Sequence, residues 1–152
     1  MPEYEIRVWV DVLAARSELK RMAAGVGFES RETTELAIVA SELGSNILKY
    51  GRHGRLTFQR VESSSEGHGL CVIARDYGPQ FHDLAIACQD GCDDRGPLDP
   101  MQLLNRKGIG GGPGAVLRMT HSFAVTPLPD GKEIVVRRYL RPVRGRATTG
   151  RR

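Results

Sequence analysis

Two rhythms of hydrophobic and polar positions run along the chain. The opening "YEIRVWVD" is rich in β-branched and aromatic residues and reads as a strand. The next stretch, "VLAARSELKRMAAGVGF", places apolar residues at 12, 15, 19, 22, 23 and 26. That spacing predicts a helix with one buried face, and Gly25 and Gly27 suit its end. Ser30 is a fair N-cap for a second helix, with Glu32 in its first turn, running to about Tyr50 and capped by Gly51. Leu36, Val39, Ala40, Leu43, Ile47 and Tyr50 form one apolar stripe along it.

The second half changes rhythm. "RLTFQRVE" and "GLCVIARD" read as paired strands joined by the polar "SSSEGHG". "DLAIACQD" reads as a short helix. A long stretch rich in Gly, Asp and Pro follows from 91 to 114, with "MQLLN" as a helical turn inside it. "AVLRM" starts another helix, and "SFAVTPL" and "KEIVVRRYL" are strands joined by the turn "PDG". The order βααββα, loop, αββ predicts an α/β (α+β) two-layer sandwich: a mixed, mostly antiparallel sheet with helices on one face.

Composition narrows the class. A chain of 152 residues suits one domain, and 40% hydrophobic content fits a soluble globular protein. No apolar run approaches the ~18 residues of a membrane span, and "MPEYEIRVWVD" lacks the features of a secretory signal. Cys71, Cys88 and Cys92 make no disulfide framework, so a reducing, cytoplasmic compartment is expected. Cys88 and Cys92 have no matching downstream pair for zinc, and plain thiols are the better account. Five of the 22 basic residues and none of the 18 acidic ones lie in "RPVRGRATTGRR". The net charge of +4 therefore belongs to a basic tail, 141–152, expected to be disordered, and residues 1–140 form a near-neutral domain. Nucleic acid is not the expected partner, although a basic arm can bind it.

Candidate chemistry begins on the second helix. Glu42 and Asn46 lie on the shoulder of its apolar stripe, where i and i+4 stand ~5–6 Å apart at Cβ. A carboxylate there can deprotonate a hydroxyl, and an amide oxygen is a hard ligand suited to magnesium. A solvated shoulder, with Glu42 and Lys49 exposed, is the plainer reading of the pair alone. "VIARDYGP" ends a strand with Asp76, Gly78 and Pro79, where the acid can accept from a ligand's amine or simply open a turn. "KGIGGGPGAV" carries Gly108, Gly110, Gly111, Gly112 and Gly114 before a helix: bare backbone for a phosphate, or a flexible loop. The P-loop pattern G-x-x-x-x-G-K-[ST] is absent.

An E-x-x-x-N helix, a strand ending in D-x-G and a glycine-rich loop before a helix resemble the GHKL, or Bergerat-fold, ATPase superfamily. Within it the chain looks most like the short single-domain serine/threonine kinases that act as anti-sigma or switch proteins, including those of the bacterial stressosome. "AIVASELGSNILKY", "ARDYGP" and "CQDG" carry the likeness, which covers roughly residues 6 to 140. It implies ATP and Mg2+ as cofactors. It makes Glu42 the general base, Asn46 the magnesium ligand, and Asp76 the acceptor for the adenine amine, with Gly78 making room. Gly108, Gly110 and Gly112 would line the phosphates, and Gly91 to Lys107 would be the ATP lid. The implied activity is phosphorylation of a STAS-domain antagonist, with a PPM-type phosphatase or a sigma factor as a further partner. Three features depart from the family pattern. Gln80 stands where D-x-G-x-G has its second glycine, Lys132 stands where Gly-Thr usually precedes the last strand, and the lid is long and acidic. Gln80 and Lys132 favour the alternative, a non-catalytic or weakly catalytic nucleotide-binding adaptor.

Overall fold

A computed structural model of the chain describes residues 1–79, 92–93, 96–97 and 113–143. Strand β1 (Glu3–Ile6) leads into helices α1 (Trp9–Val26) and α2 (Ser30–Tyr50). Strands β2 (Gly54–Ser63) and β3 (Gly67–Asp76) follow. Two short strands, β4 (Cys92–Asp93) and β5 (Gly96–Pro97), pair with each other. Helix α3 (Pro113–Arg118) precedes strands β6 (Ser122–Leu128) and β7 (Gly131–Tyr139). The main sheet has the order β1-β2-β3-β7-β6. All four of its pairings are antiparallel, in keeping with the mostly antiparallel two-layer expectation.

The first strand is shorter than its composition suggested. The Asp11 carboxylate accepts the backbone N–H groups of Arg7 at 2.8 Å and Val8 at 3.0 Å. These bonds hold its pKa below the ordinary carboxylate value. They also satisfy donors at a helix start, so α1 begins at Trp9 and the expected strand ends at Ile6. Val8 and Val10 are left 59% and 67% exposed, so their strand-like side chains gain no burial that could oppose the cap. In α2 the cap is Glu29, one residue before the expected Ser30, and the Glu32 carboxylate accepts the Glu29 N–H at 2.9 Å.

The core lies between the two layers. Ile6, Leu56, Phe58, Leu70, Val72, Ala74, Ile134 and Val136 face the helices. Val12, Ala15 and Leu19 of α1 meet them, as do Leu36, Val39, Leu43 and Ile47 of α2. Side chains alternate along a strand, so Lys132 and Arg138 share the helix-facing row of β7 with Ile134 and Val136. Both are buried. The Arg138 guanidinium donates to the Glu35 carboxylate at 2.9 Å and to the Met119 carbonyl at 3.2 Å, with Glu32 at 3.8 Å. It ties the first half of α2 to the far end of the sheet. The expected helix "DLAIACQD", the "MQLLN" turn and positions 144–152 lie outside the described residues.

His121 fastens the segment that follows β7. Its Nδ1 accepts the Tyr139 N–H at 3.0 Å, so Nε2 carries the proton and donates to the Pro142 carbonyl at 3.0 Å. Val143 just beyond is buried. Burial pushes the imidazole below its ordinary 6.5; Arg141 and Arg138 add to this, while the Pro142 bond and Glu66 oppose it. The folded chain therefore gives up this proton more readily than the unfolded chain. The stability His121 contributes is present above 6.5 and is lost as the pH falls through the lowered value.

Two expectations follow from these contacts. Arg138→Met keeps the aliphatic stem but removes the buried cation that faces Glu35, and should lower stability by about 3 kcal/mol in chemical denaturation; an unchanged midpoint would show that the ion pair holds nothing. Between about pH 7 and pH 5.5 the thermal midpoint of the parent should fall further than that of His121→Gln. Parallel curves would mean that the neutral ring is not what closes this end.

Candidate nucleotide-binding site

Helix α2 carries the first two site residues. From Val39 to Ile47 every residue is buried, because the helix packs against α1, α3, β2 and β3. Glu42 is 1% exposed and Asn46, one turn on, is 7% exposed. The solvated-shoulder reading is therefore excluded for Glu42, although Lys49 does face solvent. Among the described residues, the buried Asn46 amide nitrogen has no hydrogen-bond partner. Leaving such a donor unmade costs ~1–3 kcal/mol, so the position fits a side chain that serves a bound group. An asparagine in that setting can offer its carbonyl oxygen to magnesium and its N–H to a phosphate oxygen. No group of three His, Cys, Asp or Glu residues among the described residues makes a protein-only metal cage. A magnesium ion would instead be held by Asn46 together with phosphate oxygens and water, its usual coordination beside nucleotides.

The end of β3 carries the next two. Asp76 is buried, and its Oδ1 accepts the Gly78 N–H at 2.9 Å. Gly78 lies flat against the last turn of α2, and a methyl group there would collide with the Tyr50 carbonyl oxygen. Tyr77 N–H reaches the carbonyls of Gly51 and His53, each at 3.2 Å. A Cβ on Gly51 would come within 2.6 Å of the Asp76 Cβ. The strand end and the helix end are thus locked together, with Asp76 and Gly78 one turn of α2 from Asn46 and two from Glu42. At this junction Tyr77 stacks on His53 with ring centroids 4.5 Å apart, and the Arg75 guanidinium lies over its ring at 4.1 Å.

Lys132 is the residue whose role the sequence left unassigned. It stands directly opposite Asp76 in the β3–β7 register. Its ammonium lies 3.1 Å from Asp76 Oδ2 and 3.3 Å from Oδ1, and donates to the Pro79 carbonyl at 2.9 Å. The signal was in "KEIVV", where alternation puts Lys132 on the same face as Ile134 and Val136. Beside it, a Cβ on Gly131 would strike the Asp76 carbonyl, so the start of β7 is pressed onto the strand end. Gly108, Gly110, Gly112 and Gln80 lie outside the described residues, as does the expected lid apart from the backbone of β4 and β5. Helix α3, which the glycine stretch precedes, packs on α2.

No described helix is long and apolar enough to cross a membrane. Two comparisons with known proteins agree with this geometry. The chain is 28% identical over 132 residues to the serine/threonine-protein kinase RsbT of Bacillus subtilis (strain 168), covering 86% of this chain and 90% of that one. A family model described as a histidine kinase-like ATPase domain matches residues 10–137, which include Glu42, Asn46, Asp76, Gly78 and the glycine loop. With the match spanning most of its length and the two-layer fold in place, the chain belongs to the family of histidine kinase-like ATPase domains.

Proposed function

We propose that the protein is an ATP-dependent serine/threonine kinase of the switch type, phosphorylating a STAS-domain antagonist protein in a bacterial regulatory pathway. The observation that carries the reading is a buried carboxylate, Glu42, one helical turn from the Asn46 amide nitrogen, which has no partner among the described residues. The likeness to RsbT, a serine/threonine-protein kinase, supports the same class of chemistry.

In this reading each residue has one task. Asp76 accepts from the exocyclic amine of adenine, and Gly78 keeps the turn clear of the base. Asn46 holds magnesium, which when bound screens the phosphate charge. Gly108, Gly110 and Gly112 offer backbone N–H groups to the phosphates. In-line phosphoryl transfer asks mainly for positioning and charge neutralisation, and all of these groups supply that. Glu42 takes the proton from the substrate hydroxyl as the phosphoryl group arrives. Burial keeps that carboxylate away from bulk water, where its proton transfer would be short-circuited.

A second reading is favoured by one contact, the ion pair between Lys132 and Asp76. It occupies part of the acceptor that adenine would use. The protein would then be an adaptor, binding nucleotide weakly or without turnover, and acting by sequestering a sigma factor or activating a PPM-type phosphatase.

Thermal unfolding and phosphoryl transfer separate these readings. Magnesium and ATP at about 100-fold over the dissociation constant should add about 2.7 kcal/mol of stability, and the Asn46→Ala variant should lose the magnesium-dependent part. An unmoved midpoint at saturating nucleotide would exclude an ATP site. Glu42→Gln should bind ATP as the parent does but transfer phosphate to a STAS-domain substrate at least ~10²-fold more slowly. Equal rates would remove Glu42 from the mechanism, and binding without transfer in the parent would establish the adaptor.

A further inference from the structure

The mechanism above leaves one buried charge without a task, the Lys132 ammonium. The side chains of Lys132 and Asp76 are each 3% exposed, so neither is hydrated to any extent. An ionised carboxylate has about four acceptor positions. Gly78 N–H takes one on Oδ1, and the Lys132 ammonium straddles both oxygens at 3.3 and 3.1 Å. The Pro79 carbonyl steadies the ammonium from the turn side at 2.9 Å. The strand end is therefore neutralised and held in shape by the chain itself.

We propose that Lys132 is an internal competitor for the nucleotide at the base end of the site, its ammonium holding the acceptor face of Asp76 that a nucleobase amine must use. The inference rests on the nucleotide reading of the site. A neutral amine is a weaker donor to a carboxylate than an ammonium ion. It gains the face of Asp76 that the ammonium straddles only when the lysine gives way, and the flexible four-carbon stem of lysine permits that movement. Empty, the site keeps a counter-ion on its buried carboxylate and stays folded; occupied, it has exchanged that counter-ion for the base. The device lowers affinity and makes the unliganded form more stable. Both effects suit a protein that alternates between free and nucleotide-bound forms. Lys132 is thus a specificity-determining and positioning residue rather than a catalytic one.

The test uses the full chain with Lys132→Thr, whose hydroxyl is too short to reach Asp76, and Lys132→Gln, which keeps the length and a neutral donor. Binding of adenosine, ADP with magnesium, and tripolyphosphate is measured by calorimetry, alongside thermal unfolding without ligand. Lys132→Thr should bind adenosine and ADP at least about 10-fold more tightly than the parent, the scale of one charged hydrogen bond. Its affinity for tripolyphosphate should not change, because the competition is confined to the base end. Its unliganded thermal midpoint should fall, because Asp76 loses its counter-ion. Lys132→Gln should lie between the two in affinity, and decides the matter if the threonine variant does not fold. In an Asp76→Asn background the gain should vanish. Weaker binding by Lys132→Thr would make the lysine a direct base contact and overturn the proposal, and unchanged binding would overturn it by making the pair structural only. If the parent binds ADP and the variants bind no tighter, the competitor alone falls. If no protein in the set binds any adenine ligand, the nucleotide reading falls and the competitor with it.

Discussion

One close approach holds the site together: the end of β3 lies directly on the end of α2. Gly78 leaves no side chain between the strand-end turn and the Tyr50 carbonyl, and Tyr77 bonds across to Gly51 and His53. The sheet is thereby held in direct contact with the helix where Asp76 emerges. Asn46 and Glu42 lie one and two turns back along the same helix, so their distance from Asp76 follows from helical rise alone. Side chains placed in this way sit on rigid elements and are held by packing that does not depend on a ligand.

The same economy appears along β7, which carries two buried cations on its helix-facing row. Arg138 engages Glu35 and Glu32 near the start of α2, and Lys132 engages Asp76 near its end. Ile134 and Val136 lie between them in the core. The net stabilisation from buried ion pairs is small, because desolvation offsets most of the attraction. Their effect here is on placement. A two-residue slip of β7 would preserve the alternation of faces yet leave both sets of acids without their cations. A one-residue slip would turn both cations out of the core. The ion pairs therefore exclude registers that hydrophobic burial alone would tolerate at one end or the other.

Much of the scaffold was readable because it follows from local periodicity. Positions 12, 15, 19, 22 and 23 are the buried face of α1, as their spacing required. The end of α2 at Tyr50 agrees with the expected helix and its N-cap falls one residue early, while β2, β3, β6 and β7 agree to within two residues. The failure at β1 is instructive. Val8, Trp9 and Val10 have the composition of a strand, but propensity in a short exposed segment is a weak force. Two hydrogen bonds from Asp11 to backbone donors outweighed it and started a helix.

The sequence by itself determined the spacing of Glu42 and Asn46, the position of Asp76 at a strand end and the sandwich class, since each depends on residues within a turn or a strand of one another. Only the tertiary structure decided what those residues experience. Glu42 reads as a surface shoulder until α2 is packed on all sides, because burial is a property of the neighbours and not of the helix. Lys132 reads only as a departure from the family pattern until β7 is laid beside β3 and its ammonium meets Asp76, 56 residues away in the chain. Charges interact through space, and the distance between two of them is set by the register of a sheet that no short stretch of sequence encodes.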